Sequence, residues 1–212
     1  MAVAERATAL KWGVRLEILT VVWMAAEAAL AIGAGIAARS VLLTAFGFDS
    51  VVELLSGIVV LRRLGLEARG ATAASTERLE LVTTRIAAVL LVLLCAYVVA
   101  TSIAGLAVGL KPESSVLGIA VAAMAVIAMP LLALAKARAN RTIASASLRA
   151  DIAETVTCAY MAGATLAGVA LSALLGLWWI QYLAALALLI WLIPETREAI
   201  EAARSGHEEP HD

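Results

Sequence analysis

The chain has 212 residues, 63% of them hydrophobic, with mean hydropathy +0.95 and a formal net charge of −1. Ordinary soluble domains are about half apolar, so this composition excludes one, and no short alternating strands suggest a membrane barrel. What remains is an all-α integral membrane protein; the near-neutral charge names no partner, and no nucleic acid is expected.

A spanning helix needs about 20 mostly apolar residues. Six stretches meet this: residues 16–37, 41–61, 81–109, 116–135, 152–174 and 177–193. They predict one membrane domain over 16–194, a short N-terminal segment 1–15 and a short tail 195–212, with no separate soluble domain.

Helix one follows Arg6, Lys11 and Arg15, and Trp12 marks its interface. Its apolar run exceeds a signal-peptide core and lacks a cleavage site, so it is expected to persist. Ala31, Gly33, Gly35 and Ala37 are small enough to let another helix approach. Glu17 reads as interfacial. Glu27, at mid-span, can be a proton carrier, an accessory ligand or a partner for Arg85.

Helix two holds the strongest anomaly, Asp49 and Glu53 within VLLTAFGFDSVVELLSGIVVL. A charge at the bilayer centre costs about 2.5–3.5 kcal/mol on insertion scales. Residues four apart share one helical face. Such a pair is tolerable when it meets a partner, a proton or a cation.

Arg62, Arg63, Arg69 and Arg78 follow in the connection to helix three, whose loop 64–78 holds no histidine cluster. Glu80 flanks helix three, and Cys95 within it reads as core. Pro130 is expected to kink helix four. Lys136, Arg138, Arg141 and Arg149 read as the next basic loop, 136–149. Helix five opens with SLRADIAETVTCAYMAG, where Asp151, Glu154 and Cys158 fall at spacings of three and four, hence on one face. Trp178 and Trp179 precede helix six, which Pro194 is expected to stop. Residues 195–204 read as a short amphipathic helix or helix extension, and the last residues as a solvated tail in which His207 and His211 bind metal at most weakly.

The side opposite these basic loops carries only Arg39 and Lys111. The positive-inside rule then places both termini in the cytoplasm, which needs an even number of spans. Cys95 and Cys158 both lie in predicted spans, so no disulfide framework is expected.

Helices two and five occupy matching places in two three-helix halves, an arrangement that suits a midplane site. Asp49, Glu53, Glu154 and Cys158 together supply four ligands, a tetrahedral set that zinc accepts. Carboxylates also admit manganese, iron and cobalt, and a thiolate favours softer ions. Asp151 and Glu27 are candidates for proton coupling or an accessory role. Crowded carboxylates keep a proton when no cation is present. Metal binding expels that proton, which is the basis for exchange. Each residue also has a plainer reading: Asp151 as a helix-start acid, Glu154 as a headgroup contact, Cys158 as a small core residue. An exporter of small organic cations and a non-transporting assembly subunit also stay open. A metal-dependent hydrolase or transferase is disfavoured, because no span holds a histidine or a nucleophile–base pair; no enzyme is expected.

At these positions the chain resembles the cation diffusion facilitator family of divalent-metal transporters, across all six spans. Ser40 to Glu53 follows the family's helix-two pattern D-x-x-x-D with the second acid lengthened. Ala150-Asp151-Ile-Ala-Glu154-Thr-Val-Thr-Cys158 follows A-D-x-x-H-x-x-x-D, with glutamate for the histidine and cysteine for the aspartate. Arg78-Leu79-Glu80 resembles the [RK]-x-E that opens helix three, and Gln181 stands where an acid is common near the start of helix six. The resemblance implies a homodimer, a metal site between helices two and five, and proton-coupled export from the cytoplasm; the Ala-rich composition points to a bacterial source, and hence to an inner membrane. It implies no resident cofactor: the metal, zinc first and otherwise iron, cobalt, manganese or cadmium, is cargo. The chain is similar to a short form lacking the family's cytoplasmic C-terminal domain.

Overall fold

A computed structural model of the protein describes residues 2–69, 77–113 and 115–205. They form six α-helices: α1 (Ala2–Ala37), α2 (Val41–Ala68), α3 (Glu77–Val108), α4 (Val116–Ile143), α5 (Ala146–Leu175) and α6 (Ile180–Ser205). His207 and His211 lie outside the described residues, as do the side chains of Arg78 and Glu80.

The helix starts follow local chemistry. Ser40, Ser115 and Ser145 each sit in extended backbone, and each hydroxyl accepts an amide N–H from three residues on. This satisfies one of the donors that a helix start leaves orphaned. Gly176 ends α5 in the left-handed region at φ 67°, where a side chain is costly.

All six helices are longer than the apolar runs that predict them. Hydropathy marks bilayer depth, whereas a helix continues wherever its residues favour it, and Ala, Arg and Lys do. The expected basic loop 136–149 is therefore mostly helix: α4 runs to Ile143 and only Ala144 and Ser145 separate it from α5. The expected stop at Pro194 is overturned in the same way, because α6 continues to Ser205. Proline removes one N–H from the ladder, and the Thr196 hydroxyl donates to the Leu192 carbonyl nearby at 2.5 Å. Among the described residues five helices are long and apolar enough to cross a membrane; α6 is not among them, its apolar portion giving way to Glu195, Arg197 and Glu198.

α1 packs on α2 and α4, and α5 packs on α2 and α4, giving a four-helix group; α3 and α6 pair with each other and lean on α2 and α5. The main apolar core, including Met24, Phe46, Met129 and Met161, fills the centre. A second cluster of Leu10, Leu16, Val60, Leu64, Ile143 and Leu148 closes one end. At that end Arg6 near the start of α1 pairs with Glu67 of α2 and reaches the Ile143 carbonyl of α4. At the other end Ser40 donates to Gln181 Oε1 at 2.6 Å, and Tyr182 donates to the Leu110 carbonyl at 2.9 Å. The start of α1 and the end of α2 thus lie together, as do the end of α4 and the start of α5.

Small residues set the α1–α2 spacing, though not all those expected. A side-chain carbon at Gly47 would stand 2.7 Å from the Ile32 backbone nitrogen, and one at Gly35 would meet the Thr44 backbone at 2.6 Å; Gly33 has nothing within 4 Å. Gly47→Ala is expected to cost about 1–3 kcal/mol by overpacking, while Gly33→Ala is expected to be neutral or slightly stabilising. Thermal unfolding in detergent micelles checks the pair; equal midpoints would refute the close approach.

Candidate metal centre

α2 and α5 cross at the middle of the four-helix group, and their paired spacings bring two acidic faces toward each other. Asp49 and Glu53 on α2 are 5% and 6% exposed, and Cys158 on α5 is 1% exposed. Glu154, one turn before Cys158, is half-buried.

Cys158 is the meeting point. Its thiol donates to Glu27 Oε1 on α1 at 3.7 Å. Glu27 is buried and well held: Ser50 Oγ donates to Oε1 at 2.8 Å and Trp23 Nε1 to Oε2 at 2.5 Å. Of the three roles open to Glu27, pairing with Arg85 is thereby displaced, since both oxygens accept from other groups and Arg85 is exposed. The i, i+4 spacing of Trp23 and Glu27 on α1 made the Trp23 bond readable.

Glu154 lines the same cavity as Ser56 of α2, but its Oε2 is buried with no hydrogen-bond partner, as is Glu53 Oε1. Asp49 feels the charges of Glu195, Glu53, Glu27 and Glu154. The four predicted ligands are therefore neighbours in part only. Glu53 and Cys158 are electrostatic neighbours, Glu154 lies a turn before Cys158, and among the described residues no three histidine, cysteine or acidic groups converge as a ready metal cage.

A cavity of about 610 Å³ reaches Glu154 between α2, α3, α5 and α6. Ser56, Arg63, Glu154, Trp191, Glu195 and Glu198 line it. Glu195, expected in a tail, is therefore part of the same space, and its Oε2 is buried without a hydrogen-bond partner. Reading Pro194 as a stop hid this residue. Cys95, expected in the core, is half-buried at the α3–α6 seam, where its sulfur lies 3.5 Å from Thr196 Oγ1.

Asp151 points away from the cavity. It binds the Lys136 ammonium of α4 at 2.5 Å, and Lys136 also lies 3.3 Å from Glu17 of α1. All three side chains are fully buried. This corrects two expectations: Lys136 is not a loop cation, and Glu17 is not interfacial. The sequence did carry a signal for Lys136. Met129, Leu132, Ala133 and Lys136 follow the i, i+3, i+4, i+7 stripe of a buried helix face.

Buried carboxylate oxygens without donors are costly unless a cation or a proton meets them. The α2–α5 interface can thus receive a cation that arrives through the cavity. No curated protein matches the chain. Residues 18–205 match the family model described as the cation efflux transmembrane domain. Because that match runs from the first helix to the end of the sixth and takes in every acid of the α2–α5 site, the chain belongs to the cation efflux family, whose members carry metal cations across membranes and are not enzymes.

Proposed function

We propose that the protein exports a divalent metal, zinc before iron, cobalt, manganese or cadmium, from the cytoplasm in exchange for protons. Asp49, Glu53, Glu154 and Cys158 bind the metal, and Glu27, bonded to Cys158, is an accessory to them. The observation that carries this reading is the pair of partnerless buried oxygens, Glu53 Oε1 and Glu154 Oε2, on adjoining helices, with a cavity leading to the second.

The end at which the cavity is lined by Arg63 and Glu198 also gathers Arg6, Arg141 and Arg149. Arg39 and Lys111 lie at the other end. The positive-inside rule makes the first end cytoplasmic, so the cavity faces the cytoplasm and both described ends of the chain lie there. A proton shared among the carboxylates leaves when the metal enters, and rocking of helices about the site exposes it to the opposite side. The active form is a homodimer in a bacterial inner membrane.

Metal choice rests on the thiol. A panel of divalent metals assayed for uptake into vesicles, for wild type and Cys158→Asp, tests both the transport and the ligand. The variant is expected to lose preference for zinc and cadmium and gain manganese, because carboxylate oxygen suits harder ions. An unchanged preference would return Cys158 to a packing role. Uptake of organic cations in place of every metal would support the competing exporter; among the described residues lining the cavity only Trp191 is aromatic, which disfavours it.

A further inference from the structure

The buried charges behind α5 do not balance. Glu17 and Asp151 are two carboxylates and Lys136 is one ammonium, so the fully ionised triad sums to −1. All three side chains are sealed from solvent. Toward the nearer end, Leu10, Leu16, Ile143 and Leu148 form an apolar plug.

The hydrogen bonds show which acid is surplus. Lys136 Nζ donates to Asp151 Oδ2 at 2.5 Å and to Thr155 Oγ1 at 3.4 Å. Its approach to Glu17 Oε1 is an ion-pair distance of 3.3 Å without hydrogen-bond direction, and neither Glu17 oxygen has a donor. Asp151 Oδ1 also lacks a donor. Yet the two carboxylates crowd one ammonium, Glu17 Oε1 at 3.3 Å and Asp151 Oδ2 at 2.5 Å from Lys136 Nζ. Two ionised carboxylates are acceptors only and repel each other, so they can share this dry site as a hydrogen-bonded pair only when one of them carries a proton. The proton satisfies the orphaned oxygens and brings the triad to zero. Lys136 from α4 and Asp151 from α5 are the charged groups that face Glu17; α2, also packed on α1, presents Val60 and Leu64 beside Leu16.

We propose that Glu17 is a proton site of the transporter, separate from the metal ligands, and that its proton is shared with Asp151 while Lys136 remains bonded to Asp151. Resting on the metal-transport reading above, the site couples to cargo through charge. Lys136 and Asp151 lie in electrostatic range of both Glu53 and Glu154. When the Glu17 proton leaves for water, the triad becomes −1 and draws a cation to the neighbouring site. Reciprocally, a bound cation favours the loss of that proton. Deprotonated Glu17 also competes with Asp151 for Lys136, which loosens the tie between α4 and the helix that carries Glu154 and Cys158.

Infrared difference spectra of the full chain, metal-free at neutral pH, test the proton directly. Wild type is expected to show a protonated-carboxyl stretching band that Glu17→Gln lacks. Glutamine keeps the shape and can still donate to Asp151, so this variant should fold. Asp151→Asn is expected to lose the same band by another route, because Lys136 then has only Glu17 to neutralise and holds it ionised. Identical carboxyl bands in wild type and Glu17→Gln would overturn the assignment. In proteoliposomes, Glu17→Gln is expected to keep metal binding and move fewer protons per metal; an unchanged ratio would overturn the coupling. A wild type that binds no metal would instead sink the transport reading and leave the infrared result standing.

Discussion

Replacing Lys136 with methionine is expected to lower the unfolding free energy by about 3–5 kcal/mol, the cost of breaking a buried ion pair from one side. Methionine fills the lysine's volume, so the loss is electrostatic rather than a cavity. It leaves Asp151, which is fully buried and bonded to the ammonium at 2.5 Å, without its counter-charge. The triple variant Glu17→Gln, Lys136→Met, Asp151→Asn is expected to recover most of the stability, because it leaves no unpaired charge in the dry interior. Denaturant or thermal unfolding in micelles measures both. A Lys136→Met protein as stable as wild type would mean that the triad is hydrated and not a sealed ionic contact.

Asp49→Ala is expected to have the larger effect on function. Losing a partner that merely supports a ligand costs about 10–100-fold in metal affinity or activity, so losing a ligand should reduce metal uptake by about 100-fold or more. Its effect on folding should be small or favourable. Asp49 is 5% exposed, and removing a carboxylate from a buried position also removes the cost of burying it. A transport loss without a stability loss separates this residue from Lys136, whose replacement damages the fold first.

The features legible in the sequence were those that do not depend on which helix meets which. Six apolar runs gave six helices in the right order, and the expense of a mid-span charge singled out Asp49 and Glu53 before any contact was known. Four-residue spacing put Glu154 and Cys158 on one face of α5, the face that supplies the thiol contact to Glu27. The misreadings share a cause. Lys136 looked like a loop residue because it opens a basic stretch, and Glu17 looked interfacial because it sits near the first basic cluster. Each is made tolerable by the other and by Asp151, three residues on three helices; the stripe on α4 marks Lys136 as facing inward, but pairing between distant segments leaves no local sign of its partners. Glu195 was hidden differently. Proline ends most helices, but here one lost backbone bond does not outweigh the packing of α6 on α3, and the helix carries Glu195 into the cavity.

The central claim is that the carboxylates of α2 carry a metal whose binding and release are exchanged for protons. Metal-driven proton flux in proteoliposomes, measured for wild type and Asp49→Ala at matched protein content, tests it most directly. Proton movement opposite to the metal is expected in wild type and almost none in the variant. Equal flux from both proteins would contradict it.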